Sequence, residues 1–428
     1  MNLRSCIFWA LDRLKGNPLK IALRFTSNIL ETKDRKWAET ENANRLKELL
    51  NHASKTTSFY MDKNYAKLED FPIVNKNMIR DNLENFMSHS FEPKDCLKVS
   101  TSGSTGAPFS IYQDRDKVNK SIADNIYFSS KSDFEIGNRL VYIKIWSDKL
   151  NYRKRFGFRM KNILPWSVFN LSNTEIDKLL TELNNSRESI SFIGYASSFE
   201  KICKHLDELN ENPIKFKTKS VITISESLNL YTRNAVKQYF GIYPMSRYSN
   251  NENGIIAQQN NHENSNFILN SSSYVVEIFD LEADRKLKYG EQGRIVITDL
   301  YNKATPIIRY DTGDIGTLEV DSENRPYFSE IYGRKLDLLY DTQGNLVPSH
   351  LSAKLCNYGE FKQFQLVQKG QKNYEINLNT TTQVDELNMI KEYKKYFGED
   401  ADIKINYVSE IPLLASGKRR EVVNEYYV

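Results

Sequence analysis

The sequence predicts an α/β protein with a large N-terminal domain and a small α+β C-terminal domain, and three observations carry that expectation. From about residue 95, apolar and β-branched runs (Arg139 to Ile145, Ser191 to Tyr195, Ser220 to Ile224) alternate with helical runs, the rhythm of a mostly parallel sheet. Tyr274 to Phe279 and Gly293 to Thr298 are β-rich with turn residues between them, which suggests a more purely β subdomain at the end of the large domain. Past Gly333 the runs Phe364 to Gln368, Tyr374 to Leu378, Val384 to Phe397 and Ile403 to Val408 make a compact ββαβ unit. The boundary is expected near residue 335, dividing the chain into 1–335 and 336–428.

Residues 1 to about 90 read as helices joined by short polar links. Asn42 to Ala53 carries Leu46, Leu49 and Leu50 on one face, and Asp70-Phe71-Pro72-Ile73-Val74 is a turn before another helix. In the first 25 residues Leu3, Ile7, Leu11 and Leu14 recur at helical spacing among Arg4, Arg13 and Lys15. That pattern describes either an amphipathic helix laid on the domain's own surface or one in peripheral contact with anionic lipid. Asn260 to Asn270 is polar and reads as a loop.

A chain of 428 residues with 40% apolar side chains has material for a substantial core. Its 59 basic and 55 acidic residues leave a net charge of +4, too balanced for a protein that coats nucleic acid. Cys6, Cys96, Cys203 and Cys356 are far apart and fit reduced thiols in a cytoplasmic protein. The five histidines form no metal-binding spacing, and no run approaches the ~20 apolar residues that span a bilayer.

Only 18 glycines occur, so their placement is informative. Gly103 and Gly106 fall within Ser100-Thr101-Ser102-Gly103-Ser104-Thr105-Gly106-Ala107-Pro108, between two short strands. Glycine permits close backbone approach, so N–H groups there can converge on an anion, with the Ser102, Ser104 and Thr105 hydroxyls as further donors. A Walker A loop is excluded, because no Gly-Lys-Ser/Thr follows. Alone, such a hairpin is as consistent with a tight turn as with a phosphate loop.

Four further motifs follow in order: Tyr248-Ser249-Asn250-Asn251-Glu252, Ile308-Arg309-Tyr310-Asp311-Thr312-Gly313-Asp314, Gly333-Arg334-Lys335-Leu336-Asp337, and Pro412 to Arg420 containing Ser416-Gly417-Lys418. Together the five resemble the signature of the adenylate-forming (acyl-CoA synthetase) superfamily, and within it the phenylacetate–CoA ligase group and its capsular-polysaccharide biosynthesis relatives. Arg45 to Ala53 and Phe71 to Val74 also resemble the start of that subgroup, so the likeness covers nearly the whole chain.

The resemblance implies an AMP-forming ligase that uses ATP and Mg²⁺ to turn a carboxylic acid into its acyl-adenylate, then passes the acyl group to coenzyme A. Acceptors other than coenzyme A, namely a sugar amine or an amino acid, and a non-catalytic nucleotide-binding homologue are the alternatives. The loop Ser102 to Gly106 would hold phosphates, Tyr248 would stack on adenine, Glu252 would ligate Mg²⁺, Asp314 would take the ribose diol with Arg334 beside it, and Lys418 would steady the transition state from a mobile lid domain. Tyr195, in Gly194-Tyr195-Ala196-Ser197-Ser198, and Ser225 with Glu226 match segments near the acyl pocket. Phe192 and Trp146 suggest an aromatic lining for it.

The sequence departs from the family pattern in several places. Ala107 and Phe109 stand where many relatives carry lysine, Asn251 replaces a hydroxyl residue, and Asp311 replaces a frequent arginine. The last arginine of the C-terminal motif falls one place early, at Arg420, and Leu336 occupies the usual hinge position.

Overall fold

A computed structural model describes residues 2–61, 63, 65–101, 109–146, 152–209, 212–259, 266–281, 283–334, 339–345, 347, 361, 363–380, 384–412 and 422–426. The chain opens with three helices, Leu3–Leu14, Pro18–Glu31 and Arg35–Thr56. An antiparallel hairpin of β1 (Leu97–Thr101) and β2 (Phe109–Gln113) follows, then the helix Arg115–Ser130. The alternating segment supplies β3 (Arg139–Lys144), β4 (Ile163–Ser167), β5 (Ile190–Tyr195), β6 (Thr218–Ile224) and β7 (Met245–Asn250). These lie parallel in the order β4-β3-β5-β6-β7.

At β7 the sheet changes character. β8 (Gly254–Gln259) turns back antiparallel, and β9 (Phe267–Leu269), β13 (Pro326–Arg334), β12 (Tyr310–Val320), β11 (Gln292–Asp299) and β10 (Tyr274–Phe279) continue antiparallel to the far edge. The β-rich stretch read from the sequence is thus hydrogen-bonded into the same eleven-stranded sheet. The segment 260–270, read as a loop, contains β9, whose Phe267 and Ile268 pair with Phe328 and Tyr327. Its apolar triplet has partners on both sides, and these outweigh the polar flanks.

Two apolar cores flank this sheet. One joins Leu49, Phe71, Val74 and Phe86 of the helical start to Ile256, Ile295 and Phe328 of the antiparallel half. The other packs the helices Asn173–Asn184, Ala196–Glu208 and Leu230–Phe240 on the parallel half. A separate four-stranded sheet forms from β14 (Gln363–Gln368), β15 (Asn373–Asn379), β16 (Asp402–Tyr407) and β17 (Val422–Asn424). The helix Glu386–Phe397 covers it, and its own core buries Ile376, Leu378, Met389 and Tyr393.

The first helix does not rest its apolar stripe on the protein. Leu3, Ile7, Leu11 and Leu14 are exposed, while Ser5 and Asp12 face inward. Asp12 fixes this rotation, because its carboxylate accepts the N–H groups of Leu19 and Lys20 at 3.0 Å and caps the next helix.

Candidate active site at the sheet reversal

Parallel strands aim their carboxyl ends at one rim, where ligands of open α/β sheets bind. Tyr195 ends β5, Ser225 follows β6, and Tyr248 lies near the end of β7. Their strands are in direct register, with Tyr195 opposite Ile224 and Ile224 opposite Arg247. Ser225 is exposed and holds φ +71°, a left-handed backbone that a non-glycine residue keeps only under constraint. The next residue supplies that constraint: Glu226 Oε2 accepts the Ser197 N–H at 2.8 Å, in the first turn of the helix after β5. A carboxylate at a helix N-terminus is electrostatically favourable. Glu226 therefore ties two sequence-separated segments into one rim. Burial, reinforced by the Glu226 charge, pushes the half-buried Tyr195 phenol up.

Tyr248 is half-buried, and its hydroxyl donates to Asp314 Oδ2 at 2.7 Å. Its ring meets Phe328 edge-on, with centroids 6.1 Å apart. Burial, followed by the Asp314 charge, raises the Tyr248 phenol far above its ordinary range, so it stays a donor. Asp314 sits on β12, where its Cα pairs with Arg334 on β13. The Arg334 side chain lies outside the described residues, so that register places the two positions side by side and no more.

Glu252 follows β7 in the turn to β8 and is almost fully buried. Its Oε1 accepts the Tyr310 hydroxyl at 2.8 Å, and its backbone carbonyl accepts Gln113 Nε2 at 2.9 Å. One residue on, the Asn253 carbonyl accepts Lys117 Nζ at 2.7 Å. Lys117 is buried and forms an ion pair of 2.6 Å with Asp299. The glutamate is therefore held by Tyr310 and Gln113, and the turn beside it by Lys117. The sequence singles out none of Tyr310, Gln113 and Lys117 for this task. Tyr310 stands inside a recognised motif, whereas the other two have no local signal.

A Mg²⁺ ion takes oxygen ligands and keeps several waters, with one or two carboxylates and substrate phosphates completing its shell. Among the described residues no group of three His, Cys, Asp or Glu side chains converges on a point. A single held carboxylate at Glu252 fits an ion that arrives with phosphate, not a preformed protein cage.

Arg309 and Asp311 do structural work around the site. Arg309, at φ +48°, donates to the Phe71 carbonyl at 2.8 Å and the Glu69 carbonyl at 3.1 Å. Val74 N–H donates to the Arg309 carbonyl, and Asp311 N–H donates to the Val74 carbonyl. Two motifs some 235 residues apart are thereby stitched together. Asp311, in place of a frequent arginine, pairs with Arg294 at 2.7 Å. Phe192 is a core residue, 1% exposed and packed on Phe199, Phe216 and Phe240, so it does not line a pocket. It points to the helix-covered face of β5, which the alternation of a strand dictates. Trp146, just past β3, stays half-buried with its indole N–H on the Tyr142 carbonyl. Ser102, Gly103, Ser104, Thr105, Gly106 and Lys418 lie outside the described residues.

Residues 339–425 match the sequence model of the CapK C-terminal domain. The chain is 22% identical over 410 residues to Protein CapK of Staphylococcus aureus, covering 89% of this chain and 88% of that protein. Its fold is similar to that of 2-hydroxyisobutyryl-CoA ligase in the postadenylation state in complex with 2-HIB-AMP, with TM-score 0.71, 15% identity, and coverage of 92% of this chain and 90% of the other. ATP-bound MatB from Rhodopseudomonas palustris gives TM-score 0.54 at 14% identity, with coverage of 78% and 68%. The chain thus carries a CapK-like C-terminal domain on the fold of the adenylate-forming acyl-CoA ligases.

Proposed function

We propose that the protein is an AMP-forming carboxylate ligase. In the first half-reaction a substrate carboxylate oxygen attacks the α-phosphorus of ATP, forming the acyl-adenylate as the α–β bridging bond breaks and pyrophosphate leaves. In the second, an acceptor attacks the acyl carbon, and AMP departs with the electron pair of the broken acyl–oxygen bond. The observation that carries this reading is the convergence at the sheet reversal. Tyr248 bonded to Asp314 and Tyr310 bonded to Glu252 support it, with Asp314 read as the acceptor for a ribose diol and Glu252 as the ligand of a metal–phosphate group.

In this reading Tyr248 offers its ring to adenine while its hydroxyl orients Asp314 toward the ribose, with Arg334 as a neighbouring donor. Ser102, Gly103, Ser104, Thr105 and Gly106 hold the β- and γ-phosphates. Glu252 would hold Mg²⁺, which neutralises phosphate charge when bound. Lys418 places a cation beside the carboxylate and the α-phosphate, where developing charge is largest. Tyr195, with Ser225 and Glu226, borders the acid. Residues 1–335 form the binding domain and 336–428 the lid that delivers Lys418.

Coenzyme A is the acceptor supported by the similarity to a CoA ligase of known structure. A sugar amine or amino acid is the second reading, favoured by the CapK-like C-terminal domain and the resemblance to polysaccharide-associated ligases. A cytoplasmic site of action suits either, since ATP and coenzyme A are held there.

Acid-dependent pyrophosphate release with MgATP, with and without coenzyme A, across aryl, short aliphatic and amino acids tests the proposal. Release with at least one acid, stimulated by coenzyme A, is expected. Lys418→Ala should lower that rate by about 10²–10³-fold while ATP still binds. No release and no hydroxylamine-trapped acyl product with any acid would overturn the ligase reading.

A further inference from the structure

The adenylation reading uses none of the exposed apolar surface at the first helix, and that surface is not isolated. The stripe Leu3, Ile7, Leu11 and Leu14 runs along the outer face of Leu3–Leu14, with Leu11 53% and Leu14 83% exposed. Asp12 holds it there by capping the following helix, so the outward rotation is built into the fold. Arg4 and Arg13 lie on the same helix, Lys15 caps it, and Lys20 and Arg24 follow on the next helix, Pro18–Glu31. Residues 1–30 contain these five basic side chains and one acidic one, Asp12, and so carry the whole of the chain's net charge of +4.

A second element has the same design. The helix Tyr152–Met160 exposes Tyr152, Phe156 and Met160, which are spaced four residues apart and share one face. Between Arg153 and Lys161 the chain holds five basic residues and no acidic one. The two helices are linked through Glu188, Asn162 and Gly137. Arg4 lies 4.0 Å from the Glu188 carboxylate, which accepts Asn162 Nδ2 at 2.7 Å, and Asn162 stands in the turn after the second helix. The same Asn162 amide donates to the Gly137 carbonyl, and the Gly137 Cα packs so closely on Asn2 and Arg4 that a Cβ there would collide with both.

We propose that this pair of helices docks on an anionic lipid surface, the two apolar stripes entering the headgroup boundary and the arginines and lysines facing lipid phosphates. Basic amphipathic helices with low overall hydrophobicity bind membranes in that manner. Charge decides against the competing occupants. A second copy would bring another +4 cluster to the contact, and an uncharged apolar partner would leave the basic residues unused. Two weak elements held on one rigid body reinforce each other, since the first to bind raises the local concentration of the second. Among the described residues no helix is long and apolar enough to cross a membrane, so the contact is peripheral.

Co-sedimentation of the full chain with phosphatidylcholine vesicles, with and without phosphatidylglycerol, tests this directly. Binding is expected to the phosphatidylglycerol vesicles, with loss on raising the salt. Ile7→Glu/Leu11→Glu and Phe156→Glu should each weaken it by about tenfold or more at unchanged thermal stability. Arg13→Gln and Lys15→Gln should cost about fivefold each. Absence of binding to phosphatidylglycerol vesicles, or equal binding by the apolar variants, would overturn the proposal. Dimers in sedimentation velocity that dissociate in Ile7→Glu/Leu11→Glu, without vesicle binding, would assign the stripe to a contact between copies instead.

Discussion

At the scale of single residues, the site depends on side chains that the motifs do not single out for their chemistry. Tyr310 is 1% exposed and directs its hydroxyl at Glu252, and burial together with that carboxylate raises its phenol far above the ordinary range. The hydroxyl therefore stays protonated and donates to Glu252. Removing it leaves one oxygen of a buried carboxylate without its partner, which costs about 1–3 kcal/mol. Tyr310→Phe is expected to lower stability in urea by that amount and to raise the Mg²⁺ concentration needed for half-maximal pyrophosphate release. An unchanged Mg²⁺ midpoint would mean that Tyr310 supports the fold without orienting Glu252. Asp311 and Arg309 show the opposite case. Their motif reads as nucleotide chemistry, yet one pairs with Arg294 and the other clamps the Glu69–Phe71 turn.

At the scale of elements, the helix Arg115–Ser130 illustrates what a local pattern conceals. Lys117 and Lys120 on it are both 1% exposed. Lys117 pairs with Asp299, whereas Lys120 pairs with Asp124 and donates to Ser272 and Ser273. Burial lowers the Lys120 ammonium, and the Asp124 charge opposes that shift. The partners lie up to 182 residues away, so no window along the chain could reveal them. Strands are legible because apolar and β-branched runs are local signals, as in Tyr274–Phe279, and the ββαβ unit is legible for the same reason. The clamp on the Glu252 turn is not, because a buried charge declares itself only when its counter-ion is in place. Lys117→Met should destabilise the protein by about 3–5 kcal/mol, since it strands Asp299 inside. The double variant Lys117→Met/Asp299→Asn should recover part of that loss. Strict additivity of the two single losses in urea unfolding would show that the pair is not coupled.

At the scale of the whole molecule, two bodies of different construction are joined by a short connection. The large sheet ends at Arg334 on β13, one residue after Gly333 at φ +89°, and Leu339 already belongs to the core of the small sheet. Residues 335–338 lie between them and include Leu336, the position at which the resembled family turns its lid between half-reactions. A lid that turns there must change backbone dihedrals over very few residues, and small conformational hinges of this kind are absorbed by single positions. Leucine tolerates both α and β backbone, so the proposed ligase's two half-reactions would each be open to it, whereas proline fixes φ near −65°. Leu336→Pro should therefore separate the two steps. In a single turnover with MgATP and the accepted acid, pyrophosphate should form within about threefold of the unmodified rate, because that step needs only one arrangement. Transfer to the acceptor should fall by about tenfold or more, and acyl-adenylate should accumulate on the enzyme. Equal loss of both steps would place the hinge elsewhere, and equal retention would mean that acceptor reaches the adenylate without any turn of the lid.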